Sequence, residues 1–436
     1  MILAHGAGGG AALPAEPWLL AYSAAFALLI ASVALRLLWP APRLATAAEG
    51  VVAPAVLDTA SRVIGSVLQA LVLLVFVVTL VAAWFGEDVA SVNIAPTALF
   101  VVLWIGMQVV SAVLGDVWRR VNPLWTVGAA LDRVRGRDPE TSSATGWWGT
   151  HWPAAVALSL FLWLQLAYTE QSSLAAVALF LSAYSVAVLI GAARFGAGWV
   201  RTGDGFAVLF ALLGALAPLF RGDDGRLRLR WPGTGLATVE VRPGTAGVVL
   251  VVLGGTAFDG LSLTQWWGDV VGGRRDWDLV AVDTVGLVLT IATVAVAYLV
   301  ALRVLGLLAG DDADLTEQAG RWCPALVPLV LAYSIAHHLG LLVFDGQAFL
   351  ALLSDPLGSG RDLFGTADRI IDFTVVSGEQ LAVVQVGAIV VGHVLGVLVA
   401  HDRAVARYPG LTATTSQRPV LAVMIGSAVA AVLVLL

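Results

Sequence analysis

The sequence predicts an all-α, polytopic membrane protein of about ten transmembrane helices, with the N-terminus and the C-terminus both outside. Three observations carry this. First, 59% of the 436 residues are hydrophobic and only 12% are charged, where a soluble domain carries about 25% charged residues; the mean hydropathy is +0.89. Second, apolar runs of roughly 20 residues recur, each able to cross a ~30 Å hydrocarbon core, while the short alternating segments of a β-barrel are absent. Third, the basic residues are sided. All 24 are Arg, and with the N-terminus outside only Arg274, Arg275, Arg361 and Arg369 fall in outer loops. That asymmetry obeys the positive-inside rule.

The spans fall at 17–38, 63–85, 96–114, 152–169, 173–193, 246–265, 279–302, 323–345, 381–401 and 419–436. No basic n-region precedes the first, so 17–38 is expected to stay as a span rather than act as a cleaved signal. The run 206–220, bracketed by Arg201 and Arg221, is too short to cross and reads as a re-entrant or interfacial helix on the inner side. An eleventh crossing there would put the later arginines outside. Trp18, Trp39, Trp84, Trp152, Trp266 and Trp322 lie at span ends, where an amphipathic ring prefers the headgroup region.

The chain reads as a single integral membrane domain, 1–436, with three notable loops. The inner loop 115–150 opens with Trp118–Pro123 and Trp125 and reads as an amphipathic segment on the membrane surface. The inner loop 195–243 carries the short helix and an alternating stretch, Arg226–Trp231, expected to pair with Ala237–Val241 across a Pro232-Gly233 turn as a small hairpin. The outer loop 354–380 is long and acidic, with Asp355, Asp362, Asp368, Asp372 and Glu379; loops of this length are usually functional or mobile.

Ionisable groups inside spans are functional candidates by default. At ~1.5 Å per residue, Asp259 stands ~18 Å, His338 ~20 Å and Asp283 ~24 Å above the inner face. With His337 they form an outer-half Asp/His cluster from the sixth, seventh and eighth spans. A carboxylate at that depth is costly unless paired, and an imidazole supplies the pair. Asp345 lies two turns above His338 on the same face and, with Asp355, marks a route to the outer loop. His5 precedes the first span and faces outside, where a fold-back would bring it over the cluster. These are the ion- or metal-binding candidates, and their types suit a divalent transition metal. His393 and His401, on the ninth span, are proton-path candidates below His338. Gly392 and Gly396 form a GxxxG around His393, a mark of close helix packing.

Much chemistry is excluded. A chain without Lys has no P-loop, so there is no nucleotide site here; GxSxG, HExxH and CxxCH motifs are absent. The single cysteine, Cys323, excludes an internal disulfide. A formal charge of −6 argues against nucleic acid as a partner.

One ordered set of motifs runs through nearly the whole chain: Leu3–Gly6, Trp118–Pro123, Phe258–Gly260, Ala336–His338, Ser354–Gly358, Asp362–Thr366, Gly392-His393 and Ala400–Asp402. In this the chain resembles the poorly characterised multi-pass membrane proteins often labelled fenitrothion hydrolase. The resemblance implies hydrolysis of organophosphate-type esters, which generally uses a metal-activated hydroxide. His5, Asp259, His337, His338 and Asp355 match the family's polar motifs and would supply the ligands.

Three functional classes follow, in order of preference: transport or ion handling in the cell membrane through the Asp/His cluster; a membrane-embedded metal-dependent hydrolase; and a membrane anchor for a soluble or membrane partner subunit held by the inner loops. The lipid bilayer is the one partner all three share.

Overall fold

The structure is a computed structural model that describes residues 16–435. His5 therefore lies outside the described residues. Eleven apolar helices organise them: α1 (Pro17–Leu38), α2 (Ala55–Phe85), α3 (Ile94–Leu114), α4 (Trp152–Leu166), α5 (Leu174–Phe195), α6 (Gly205–Gly214), α7 (Thr245–Ser262), α8 (Asp276–Ala309), α9 (Val327–Leu352), α10 (Gly378–Arg407) and α11 (Arg418–Leu435). The chain is thus an all-α polytopic membrane protein. Nine helices of the described residues are long and apolar enough to span a bilayer.

The expected tenth span differs. Residues 152–169 are expected as one span; the helix there, α4, ends at Leu166 and is ~22 Å long, shorter than the other nine. Its chain leaves the helix at Ala167, before the polar run Thr169–Ser173. Its neighbour α6 is shorter still, ten residues, and α4 packs beside it. Every residue of Gly205–Gly214 except the half-buried Ala211 is buried, so α6 is a re-entrant insertion into the protein, not an interfacial helix. Short elements are tolerated at such depth only when protein surrounds them.

Local signals set the helix ends. Pro stands in the first turn of α1, α4 and α9, where its missing N–H costs nothing. Ser377 and Gln380 form a capping box on α10. The Ser173 hydroxyl accepts from the Ala176 amide at the start of α5. Within α3, residues Ala98–Gly106 adopt π-helical geometry, a wider turn often found near functional sites.

The α7 helix is central: 67% of its most apolar window is buried, against 6% for α2. It contacts α4, α8, α9 and α11. Its small residues allow this. A Cβ on Gly254 would strike the Ile291 backbone of α8. The expected close packing at the GxxxG of α10 is likewise present, since a Cβ on Gly392 would meet Ala332 and the Pro328 carbonyl of α9. The largest apolar core runs through α3, α4, α6 and α7, with Trp104 and Phe161 ring centroids 4.9 Å apart and Phe161 and Phe206 5.1 Å apart.

The inner loops depart from expectation in two places. The hairpin pairs β2 (Leu219–Arg221) with β3 (Leu227–Leu229), and β1 (Val51–Val52) adds to the other edge of β3, all antiparallel. The turn is therefore Gly222–Arg226, with Gly225 at φ +71°, rather than Pro232-Gly233; Asp-Gly is the stronger hairpin signal. The expected partner strand Ala237–Val241 is not formed: Thr234–Ala237 is a helical turn and 238–241 has no strand. The segment at Trp118–Pro123 is also less superficial than expected: Trp118, Val121, Asn122 and Pro123 are buried.

Candidate functional site

Asp259 on α7 and His337 and His338 on α9 meet, as the sequence suggested. Both imidazole Nε2 atoms approach one oxygen, Asp259 Oδ2, at 3.2 Å from His337 and 3.1 Å from His338. Asp259 and His338 are each 3% exposed, so water does not solvate the group. Neither contact is well aligned as a hydrogen bond, and Asp259 Oδ2 and His338 Nε2 have no other partner. Buried polar atoms left in this condition are rare in folded proteins and call for a reason.

Proton positions are constrained. His338 Nδ1 lies 3.2 Å from the Ser334 carbonyl oxygen, which only accepts, so Nδ1 carries a hydrogen. Neutral His338 would then turn a lone pair toward a carboxylate. An additional proton shared by the His338–Asp259 pair would remove that repulsion. His337 is freer: with its hydrogen on Nε2 it turns that positive edge toward Asp259, 3.2 Å away, leaving Nδ1 without a partner among the described residues. The Ser334 hydroxyl donates to Gln108 Oε1 at 2.8 Å, and Gln108 Nε2 donates to the Trp104 carbonyl at 2.9 Å. This line ties His338 to the π-helical stretch of α3.

The other candidates separate from this cluster. Asp283 accepts from Trp267 Nε1 at 2.9 Å and has no contact with either histidine, so the expected three-helix cluster contains two helices. Asp345 has no hydrogen-bond or ion-pair partner among the described residues. Asp355 accepts from the Ser359 amide and hydroxyl and from the Gly360 and Arg361 amides; slight burial pushes its carboxyl up, but these bonds outweigh that and hold it below the usual range. It shapes a turn of the outer loop. Asp362 and Asp372 do the same for Thr366 and Thr374.

His393 and His401 do not continue a chain from His338. His393 Nδ1 donates to the Ile389 carbonyl at 2.8 Å, and its Nε2 faces the Tyr333 and Ser427 hydroxyls, each at 3.2 Å. His401 Nε2 donates to the Trp39 carbonyl at 3.0 Å, and the adjacent Asp402 accepts from Trp39 Nε1 and the Arg43 amide. The second pair latches the end of α1 to α10. No hydrogen bond joins His393 to His401 among the described residues.

A cavity of about 510 Å³ lies between α7, α8, α9, α10 and α11, bordered by His337 at one end. Sequence reasoning missed it, and with it Tyr333, which lies one turn below His337 on the same face of α9 and also lines the cavity.

A second buried network was also missed. Asp204, the N-cap of α6, accepts from Tyr184 and from Asn122 Nδ2 and from the Phe206 amide at 3.0 Å. Burial pushes the Asp204 carboxyl up, against the opposing pull of these hydrogen bonds. Its role is to seat the re-entrant helix.

Among the described residues no group of three or more His, Cys, Asp or Glu side chains is placed to hold a metal ion. No family model, no curated protein and no solved structure matches the chain.

Proposed function

We propose that this multi-pass membrane protein is a transporter that moves protons, alone or with a substrate, through the Asp259–His337–His338 group. One observation carries the reading: two imidazoles converge on a single buried carboxylate oxygen in a site where an additional shared proton would remove repulsion. Inside a membrane such groups mark ion pathways and proton relays. His337 is the entry side. A proton taken at its free Nδ1 makes it an imidazolium whose Nε2–H still faces Asp259. Release of the shared proton from His338 or Asp259 then restores the original charge. The carboxylate holds the positive charge in a dry interior, where neither ring alone would keep it.

The test is proton flux into pyranine-loaded proteoliposomes under an imposed pH step. Asp259→Asn keeps the side-chain shape but removes the anion. The wild type is expected to conduct and the variant to fall to the level of empty vesicles. Equal flux in the two would remove the proposal.

A further inference from the structure

We infer that the cavity beside His337 binds a membrane amphiphile, a molecule with one long hydrocarbon chain and one protic headgroup, which enters sideways between α8 and α11. The inference builds on the proposed proton-handling role of His337 by naming the class of molecule that meets it.

The shape comes first. Lining residues run from Leu250 to Leu261 on α7, from Leu326, the residue just before α9, to His337 on α9, and from Val423 to Val434 on α11. Each stretch is ~16 Å of helix, about half of a ~30 Å hydrocarbon core and so the depth of one leaflet's chain. The inner end is closed by the buried Leu250, Leu326, Tyr298 and Met424.

The side is open. Of the lining residues, Thr293 on α8 and Gly426, Ala430 and Val434 on α11 are exposed. They lie within membrane-spanning segments, so what stands outside the mouth is lipid. Three of the four are small, which leaves a gap where larger side chains would have sealed the two helices.

Chemistry then places the head. Most polar groups on the wall are already engaged: Thr256 donates to the Val252 carbonyl, Thr293 to Leu289, Tyr298 to Ala319 and Ser427 to Met424. His337 Nδ1 is the group left open. It accepts from an alcohol, or takes the proton of a carboxylic acid and pairs with the carboxylate, which leaves the cavity neutral overall. The chain lies in the apolar length below, toward Leu250 and Met424.

The experiment uses the purified full-length chain in detergent and a diazirine-bearing hexadecanoic acid. Expected labelling maps to peptides around Thr293 and Gly426–Ala430. It is displaced by unlabelled hexadecanoic acid or hexadecanol, and hexadecane competes about tenfold less well. Displacement by the acid alone assigns an acid head, and displacement by both assigns a protic head in general. Ala430→Phe fills the mouth and lowers labelling about tenfold; His337→Phe removes the preference for protic competitors over hexadecane. Hexadecane competing as well as the acid overturns the head assignment. Labelling only outside the mouth in the wild type overturns the site, whether or not the variants fold. No proton gradient is involved, so failure here leaves the flux test of Asp259 standing, and the reverse.

Discussion

At the residue scale, the central object is one carboxylate oxygen shared by two rings. Removing one partner from a buried ionic group costs about 3–5 kcal/mol, because the other is left uncompensated. Asp259→Leu is expected to lower stability by that order in detergent thermal unfolding. Adding His338→Leu is expected to recover a large part of the loss, since contacting residues are not additive. Strictly additive effects would mean that the pair is not coupled. The residues of this site were legible: apolar runs located the spans, and helix rise set Asp259 and His338 at one height. Asp283 shows the limit of that argument. Rise gives height but not the direction a side chain takes around its helix, and Asp283 turns to Trp267. Asp355 illustrates a second limit. An acidic residue followed by Ser359 and Gly360 is as good a turn former as a ligand, and its backbone partners decide which.

At the element scale, short elements do more than the pattern suggested. The α6 helix is held at its start by Asp204, Asn122 and Tyr184, three residues from three distant segments that nothing in their local sequence connects. A comparable joint lies at the head of α4. His151 Nδ1 lies 2.8 Å from Thr245 Oγ1 at the head of α7, and the Thr245 hydroxyl donates onward to the Arg242 carbonyl. Burial, and then the Arg242 charge, lower the His151 pKa to about 4. Its ordinary value is near 6.5, so on acidification the unfolded chain takes up the proton first. The joint contributes fully above about pH 6.5, and its contribution is lost as pH falls to about 4, a change of roughly 3 kcal/mol. The melting temperature of the wild type should therefore drop more between pH 7 and pH 4 than that of His151→Asn, which keeps a donor but does not titrate. Parallel pH profiles would show that His151 is solvated in the folded state. The hairpin belongs to the same scale: strand content in Arg226–Trp231 was readable, but its partner strand was not, because Asp-Gly and Pro-Gly turns compete locally and only the pairing with Leu219–Arg221 resolves them.

For the whole molecule, the arrangement of arginines makes a direct prediction of orientation. Cys323 is fully buried, so it leaves little background for thiol labelling. Arg274 and Arg226 are both exposed. A membrane-impermeant maleimide should label Arg274→Cys in intact cells and Arg226→Cys only after permeabilisation; the reverse pattern would invert the topology. The spans surround α7, the most enclosed of the long helices, and this centrality gives Asp259 a dry setting and puts the cavity beside it.

The sequence by itself determined the class, the spans near their observed limits, the short non-crossing run and the pairing of Asp259 with His337 and His338. All of these follow from how far a helix climbs per residue and how strongly lipid rejects charge, which are local rules. The tertiary structure alone decided that α4 is shorter than its apolar run and lies beside a buried α6, that Asp283, His393 and His401 go to other partners, and that a laterally open cavity ends at His337. Those outcomes depend on the rotation of each helix about its own axis and on which small residues face each other across an interface, and neither is encoded in the order of residues along any one helix.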